Sequence, residues 1–99
     1  MPKKFYSDMS NHCLRFYIRY PKPTFKSEFE RLGWEACRKV LNAYSKWEQD
    51  IISYIYRSGS ISENVASISY LEGVTVHRIW MLVDKVQKDV AIERGYLKY

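Results

Sequence analysis

The most constraining feature of this chain is a series of helix-capping signals in its second half. Three residues with a hydroxyl side chain that can accept from a backbone amide are each predicted to begin a helix. These residues are Ser45, Ser60 and Thr75. The first two are followed three residues later by glutamate, which is the spacing of a capping box. Because Gly59 and Gly73 fall where left-handed C-caps end helices, residues 45–95 are predicted to form three consecutive helices.

The apolar residues of this half recur at the three- and four-residue spacing of amphipathic helices. One face of each helix is therefore predicted to be buried. In the last helix the apolar stripe runs without interruption from Val76 to Val90. The residues predicted to be buried are, in chain order, Trp47, Ile51, Ile52, Ile55, Ile61, Val65, Ile68, Leu71, Val76, Ile79, Trp80, Val83, Val86 and Val90.

Two prolines, Pro21 and Pro23, divide the first half of the chain. Because the residue before a proline is driven out of helical geometry, a helix is expected to end close to these prolines. We predict one helix over residues 8–20, with Ser10 as its cap, and a second over residues 27–44. The predicted buried face of the second helix contains Phe29, Leu32, Ala36, Val40, Leu41 and Tyr44.

These patterns predict an all-α protein of about five helices. A length of 99 residues is typical of one domain, and an apolar fraction of 46% argues against general disorder. Within this domain, residues 1–44 are predicted to form basic N-terminal helices. Residues 45–95 are predicted to form a three-helix unit that contains a helix-turn-helix.

The net charge is +5, and cations are concentrated in the N-terminal part of the chain. Only one acid, Asp8, precedes Glu28. A positive field favours nucleic acid, an acidic protein surface or anionic lipid as a partner. A solubilising surface explains the charge equally well. The N-terminal cations are Lys3, Lys4, Arg15, Arg19, Lys22 and Lys26.

No residue pattern indicates an enzyme, a metal site or a cofactor. Cys13 and Cys37 lack Cys-x-x-Cys spacing, and His12 and His77 are not spaced to complete a ligand set. We therefore expect free thiols in a reducing compartment. The sequence has no glycine-rich loop, no arranged carboxylate pair, no apolar run of membrane-spanning length and no signal-peptide pattern. A cytoplasmic protein without catalytic activity, and without a membrane partner, is expected.

A family resemblance is carried by three segments of the second half. Residues 44–56 combine a helix cap, an acidic–basic pair and an aliphatic run that ends in tyrosine. This segment resembles the opening helix of the fourth domain of bacterial sigma factors. Residues 61–66 and 73–79 resemble that family's helix-turn-helix. Within the family, the resemblance is greatest to the small sigma-domain-like proteins of phages and conjugative elements from Gram-positive bacteria. The resemblance covers residues 45–95 and leaves residues 1–44 without a counterpart.

The resemblance implies a DNA-reading role for the helix from about Val76 to Arg94. Its first exposed residues would face base edges in the major groove. These residues are Thr75, His77, Arg78 and Met81. Arg78 is best suited, because its guanidinium fork matches the O6 and N7 acceptors of guanine. Further along the helix, Lys85 and Lys88 would contact phosphates, which position a protein without reading sequence.

Two points stay open at the level of sequence. The helix-turn-helix can be aligned with Ala66 at the family's small residue or with Gly73 at its turn glycine. In residues 15–20, Arg15 and Arg19 are interleaved with aromatic side chains, which suits stacking on single-stranded bases as well as plain packing. We retain both arginines as candidate nucleic-acid-binding residues.

Two function classes follow from these observations. The first is a DNA-binding regulator of a phage or mobile element, which acts on duplex DNA together with RNA polymerase. The second is a small phage-borne interaction protein that inhibits a host protein or a ribonucleoprotein such as a CRISPR effector. Binding to random duplex that falls with salt favours the first class, whereas a tight, salt-tolerant protein complex favours the second.

Overall fold

The computed structural model describes the backbone of residues 3–98 and the side chains of residues 5–98. These residues form five helices and no strand, which confirms the predicted all-α class. The side chains of Lys3 and Lys4, two of the predicted N-terminal cations, and all of Tyr99 lie outside the described residues. The helices are α1 (Lys3–Arg19), α2 (Glu28–Leu41), α3 (Lys46–Arg57), α4 (Ile61–Glu72) and α5 (Val76–Arg94).

Side-chain caps begin four of these helices. In each, the hydroxyl oxygen accepts a hydrogen bond from the backbone N–H three residues later. The capping residues are Ser27, Ser45, Ser60 and Thr75. At Ser45 the box is complete, since its own N–H donates to the Glu48 carboxylate at 3.0 Å. Gly73 and Gly95 end α4 and α5 in left-handed geometry, with φ of 67° and 88°. The predicted starts of α3, α4 and α5 are confirmed.

The predicted start of the first helix is wrong. α1 begins at Lys3, and Ser10 lies buried in its middle instead of capping it. The Ser10 hydroxyl donates to the Gln87 carbonyl oxygen at 2.9 Å, and the Ser7 hydroxyl donates to the Gln87 side chain at 2.9 Å. Contacts with α5 therefore stabilise the early turns of α1, and a local capping pattern cannot report such contacts.

The core lies where α1 packs against α2, α3 and α5. α5 also contacts α2 and α4, and it contributes more buried residues than any other described helix. A polar cluster crosses this core: the Tyr56 hydroxyl donates to Asn11 Oδ1, and Gln87 Nε2 donates to the same oxygen at 2.8 Å. The apolar part of the core consists of Cys13, Leu14, Cys37, Leu41, Tyr44, Ile51, Ile52, Ile55, Tyr56, Val65, Ile68, Ile79, Leu82, Val83, Val86 and Val90.

Four residues predicted to be buried are exposed. They are Phe29, Leu32, Leu71 and Val76. On α2 the buried residues are Gly33, Ala36, Cys37 and Leu41, and α1 approaches closely at the first of them: a Cβ on Gly33 would lie 3.0 Å from Cys13 Sγ. On α4 Ser69 turns inward where Leu71 was expected, and its hydroxyl donates to the Val74 carbonyl at 2.7 Å.

Candidate nucleic-acid interface

The connection between α4 and α5 is a three-residue turn, residues 73–75. Gly73 supplies the left-handed residue that ends α4, and Thr75 caps α5. The Val74 N–H donates to the Ser69 carbonyl at 3.2 Å, while the Ser69 hydroxyl donates back to the Val74 carbonyl. Backbone and side-chain bonds on both sides of Gly73 thus fix how α5 leaves α4.

One side of α5 is buried and the other faces solvent. Ile79, Val83, Val86 and Val90 are fully buried, as the predicted stripe requires. The opposite side carries His77, Arg78, Met81, Lys85 and Lys88, which are all exposed, with Thr75 exposed at the start of the helix. The structure therefore brings the α5 residues predicted from the resemblance to one accessible surface. We call the five exposed α5 residues the α5 outer face.

An aromatic ring from the start of α3 lies beneath Arg78. The Arg78 guanidinium carbon is 5.3 Å from the centre of the Trp47 ring, which is within the range of a cation–π contact. The Trp47 indole N–H donates to the Glu72 carboxylate at 2.6 Å, so the last residue of α4 fixes the ring. Trp47 was predicted as a core residue in preference to a base-stacking one. It is half-buried, and it connects α3, α4 and the α5 outer face.

A second ring lies beneath Lys85. The Lys85 ammonium nitrogen is 5.4 Å from the centre of the Tyr44 ring, and the Tyr44 hydroxyl donates to the Asp89 carboxylate. Burial, followed by this hydrogen bond to a carboxylate, raises the pKa of the Tyr44 phenol above its usual value. The phenol therefore stays neutral at physiological pH. Trp47, Arg78, Met81 and Lys85 border a shallow groove between α3 and α5.

The cations of the α5 outer face differ in their ion pairing from four of the exposed cations on α2 and α3. Among the described residues, no carboxylate lies within 4.0 Å of the charged groups of Arg78, Lys85 or Lys88. Four exposed cations on α2 and α3 are instead paired with acids. The pairs are Arg31 with Glu28, Arg38 with Glu35, Lys39 with Glu93, and Lys46 with Asp50.

Arg15 and Arg19, the two candidate nucleic-acid-binding residues of α1, form hydrogen bonds on a different part of the protein. Arg15 Nη2 donates to the Gly59 carbonyl at 2.7 Å, and Arg19 Nε donates to the Arg57 carbonyl at 2.9 Å. Both arginines thus satisfy carbonyls at the C-terminal end of α3, where cations are favoured by the helix dipole. The α5 outer face contacts the N-terminal end of the same helix. The structure therefore does not bring Arg15 and Arg19 to the α5 outer face.

The aromatic residues near these arginines pack on one another. The rings of Tyr17 and Trp34 are 5.2 Å apart, and those of Phe16 and Tyr20 are 5.3 Å apart. The Trp34 indole also donates to the Tyr20 carbonyl at 2.9 Å. These contacts join α1 to α2 and favour the packing interpretation of residues 15–20 over stacking on single-stranded bases.

Two cysteines are the main titratable groups buried away from the α5 outer face. Cys13 and Cys37 are free and buried, and burial raises the pKa of both thiols. In the part of the chain that the structure describes, no group of three His, Cys, Asp or Glu residues is placed to hold a metal ion. None of the described helices combines the length and apolar character needed to cross a lipid bilayer.

Comparison with known proteins identifies no relative of this chain. No protein-family model matches the chain, and no curated protein or solved structure is significantly similar to it. The functional interpretation therefore depends on the geometry of the described residues.

Proposed function

We propose that the protein is a DNA-binding regulator of a phage or mobile element, and that it acts on duplex DNA together with RNA polymerase. The observation that carries this proposal is the set of unpaired cations on the α5 outer face, directly after a rigid glycine turn. A short helix, a tight turn and a second helix whose N-terminal end is exposed make up the arrangement that enters a major groove. In this alignment Gly73 is the turn glycine, and the buried small residue before it is Ser69.

Within this proposal the α5 outer face divides into base-reading and phosphate-binding parts. His77, Arg78 and Met81 lie at the N-terminal end of this face, directly after the capping residue Thr75, and this end meets base edges in this mode of docking. Arg78 presents five N–H donors and is already positioned by Trp47, so less side-chain freedom is lost on binding a guanine. Lys85 and Lys88 lie about two and three turns beyond Arg78 and bind backbone phosphates.

The ion-pair pattern distinguishes this surface from a merely solubilising one. An exposed cation that already has a carboxylate partner must give up that partner to bind a phosphate. The four ion-paired cations of α2 and α3 are in that position, whereas Arg78, Lys85 and Lys88 are not. Binding of a polyanion is therefore favoured at the α5 outer face over the surfaces of α2 and α3.

The test is a titration of labelled random-sequence duplex at increasing salt. With about four phosphate contacts, the slope of log affinity against log salt should be about −3 to −4. Lys85→Ala combined with Lys88→Ala should weaken binding and flatten this slope. Arg57→Ala, which removes an exposed cation at the far end of α3, is the matched control and should leave both quantities unchanged. No binding at low salt, or a flat salt response, would reject DNA binding.

A second function, inhibition of a host protein or ribonucleoprotein, is supported by a different surface. On α3 and α4, Tyr54, Tyr70 and Leu71 are 39%, 87% and 64% exposed. Large apolar side chains exposed together are typical of protein-binding surfaces. This alternative predicts a complex from the native host that survives nuclease and high salt and is lost in Tyr70→Ser. Under the DNA proposal, Tyr70→Ser leaves the affinity for duplex unchanged.

A further inference from the structure

The C-terminal end of α5 holds an arginine in an unusual environment. The Arg94 guanidinium carbon is 5.1 Å from the centre of the Phe29 ring and 5.0 Å from the centre of the Tyr96 ring. Its Nε is buried and donates to no acceptor. The Tyr96 hydroxyl, on the same stack, is also buried without a partner. Among the described residues, these are the two buried side-chain polar atoms that lack a hydrogen bond.

Unpaired buried donors need an explanation, because nearly all buried polar groups in proteins are hydrogen-bonded. The aromatic rings stabilise the charge of Arg94 but supply no acceptor lone pair in the plane of its N–H groups. Arg94 lies on the wall of a groove between α2 and the end of α5. A hydrogen-bond acceptor that enters this groove would satisfy the free donors of a guanidinium already held in place by two rings.

The groove and its rim indicate which acceptor is suitable. Its other charged residues are balanced, since Arg38 pairs with Glu35 and Lys39 pairs with Glu93. Arg94 therefore supplies a single uncompensated positive charge, which one anionic group is enough to neutralise. A nucleic-acid backbone carries a regular series of negative charges and is disfavoured here.

Apolar side chains surround this single charge. Phe5, Phe29 and Leu32 are 46%, 45% and 40% exposed, and the edge of the Phe5 ring packs on Tyr96 with centres 6.1 Å apart. Two of them, Phe29 and Leu32, were predicted to be in the core. Their exposure next to the half-buried Arg94 gives a surface that combines aromatic side chains with one arginine, and these residue types are enriched at protein-binding surfaces.

We propose that Arg94 binds a carboxylate of a partner polypeptide, whose neighbouring apolar side chains pack on Phe29 and Leu32. Guanidinium and carboxylate form planar, charge-assisted hydrogen bonds, and the ring stack fixes the guanidinium before binding. Arg94 follows Arg78 along α5 by a rise of about 24 Å. The site is therefore distinct from the α5 outer face and does not depend on DNA binding.

The experiment uses the full chain and a blocked tripeptide, acetyl-Leu-Asp-Leu-amide, with acetyl-Leu-Asn-Leu-amide as its isosteric control. The side-chain Hε resonance of Arg94 is followed by NMR during each titration. We expect a saturable shift with the aspartate peptide in the millimolar range, and a much smaller one with the asparagine peptide. Equal shifts with both peptides, or no saturation with either, would overturn the proposal.

Two variants and one further ligand make the test specific. Arg94→Lys keeps the charge but loses the planar donor set, so affinity for the aspartate peptide, measured by shifts of α2 amides, should fall about tenfold. Leu32→Asp changes an exposed side chain and should abolish binding, because the new carboxylate repels that of the peptide. Arg57→Lys is the control and should bind like the parent. If a dinucleotide binds at this site as well as the aspartate peptide does, the polypeptide assignment is wrong.

Discussion

The two ends of α5 use the same contact for different purposes. At the N-terminal end, Arg78 lies on one ring, Trp47, and remains exposed to solvent. At the C-terminal end, Arg94 contacts two rings and its Nε is buried. An exposed arginine keeps its hydration and is available to a ligand at little cost, whereas a half-buried one packs its aliphatic stem and guanidinium against the rings around it. This difference in burial predicts that replacing Arg94 destabilises the fold more than replacing Arg78 does.

The charges around the two arginines extend this contrast. Lys85 and Lys88 follow Arg78 on the α5 outer face and are unpaired among the described residues. Beside Arg94, Glu93 and Glu35 line the same groove. One end of the helix thus presents a row of cations, and the other presents one cation among balanced charges. A polyanion is suited to the first, and a single carboxylate to the second.

The largest expected effect concerns Tyr56, which anchors the middle of α5 and so supports both ends. Burial raises the pKa of Tyr56 to about 12 from its usual value of 10.0. The folded state therefore holds this proton more tightly than the unfolded state. Its contribution to stability is full below pH 10 and is lost as pH rises toward 12, by about 2–3 kcal/mol.

Urea unfolding across this alkaline range, with tyrosinate absorbance as a second probe, measures the loss. Tyr56→Phe should be less stable at neutral pH, because Asn11 and Gln87 lose a partner, but its stability should depend less on alkaline pH. If the parent protein kept a constant unfolding free energy up to pH 12, Tyr56 would not be buried as described.

The next effect tests the N-terminal end alone. Arg78→Ala should cost about 1–3 kcal/mol of binding at a specific DNA site and relax the preference at one base pair. Its thermal midpoint should stay within the range of an ordinary surface substitution. Trp47→Phe keeps a ring beneath Arg78 and should retain most of the affinity. A variant Arg78→Ala that binds every duplex like the parent would remove the base-reading role.

A smaller effect tests the C-terminal end alone. Arg94→Ala should lower the unfolding free energy by about 1–2 kcal/mol, because it removes two cation–π contacts and the packing of a long side chain. The affinity for duplex DNA should not change. Denaturant midpoints of Arg94→Ala and Arg78→Ala, measured side by side, check the comparison. Equal stabilities of the two variants would mean that burial does not distinguish the two ends.

The sequence predicts those parts of this molecule that depend on local interactions. The caps at Ser45 and Ser60 are correct, since the acceptor and the amide it binds lie within one turn. The identical reasoning fails at Ser10, because the partner of that hydroxyl is Gln87, on a helix far along the chain. Phe29 was misplaced for the same kind of reason, since the close approach of α1 to Gly33 is set by tertiary packing.

The candidate site divides in the same way. The α5 outer face follows from helical periodicity, so its exposed residues could be predicted one by one. The rings beneath Arg78 and Lys85 could not be predicted in this way, because the spacing of Trp47 and Tyr44 is equally consistent with a position in the core. A contact between an exposed cation and the edge of the core has no periodic signal in the sequence. The stack around Arg94 was missed for this reason too.

The smallest expected effect distinguishes a phosphate contact from a base contact within the α5 outer face. Lys88 is exposed, has no ion pair among the described residues, and lies more than two turns beyond Arg78. If it binds a phosphate, Lys88→Ala should weaken every duplex by the same factor and reduce the salt slope by about 1. Affinities for a specific site and for random duplex, each measured at several salt concentrations, provide the check. Lys98→Ala removes one exposed cation outside α5, and as a control it should leave the slope unchanged. A slope altered equally by both variants would show that net charge, and not the placement of cations on α5, governs binding.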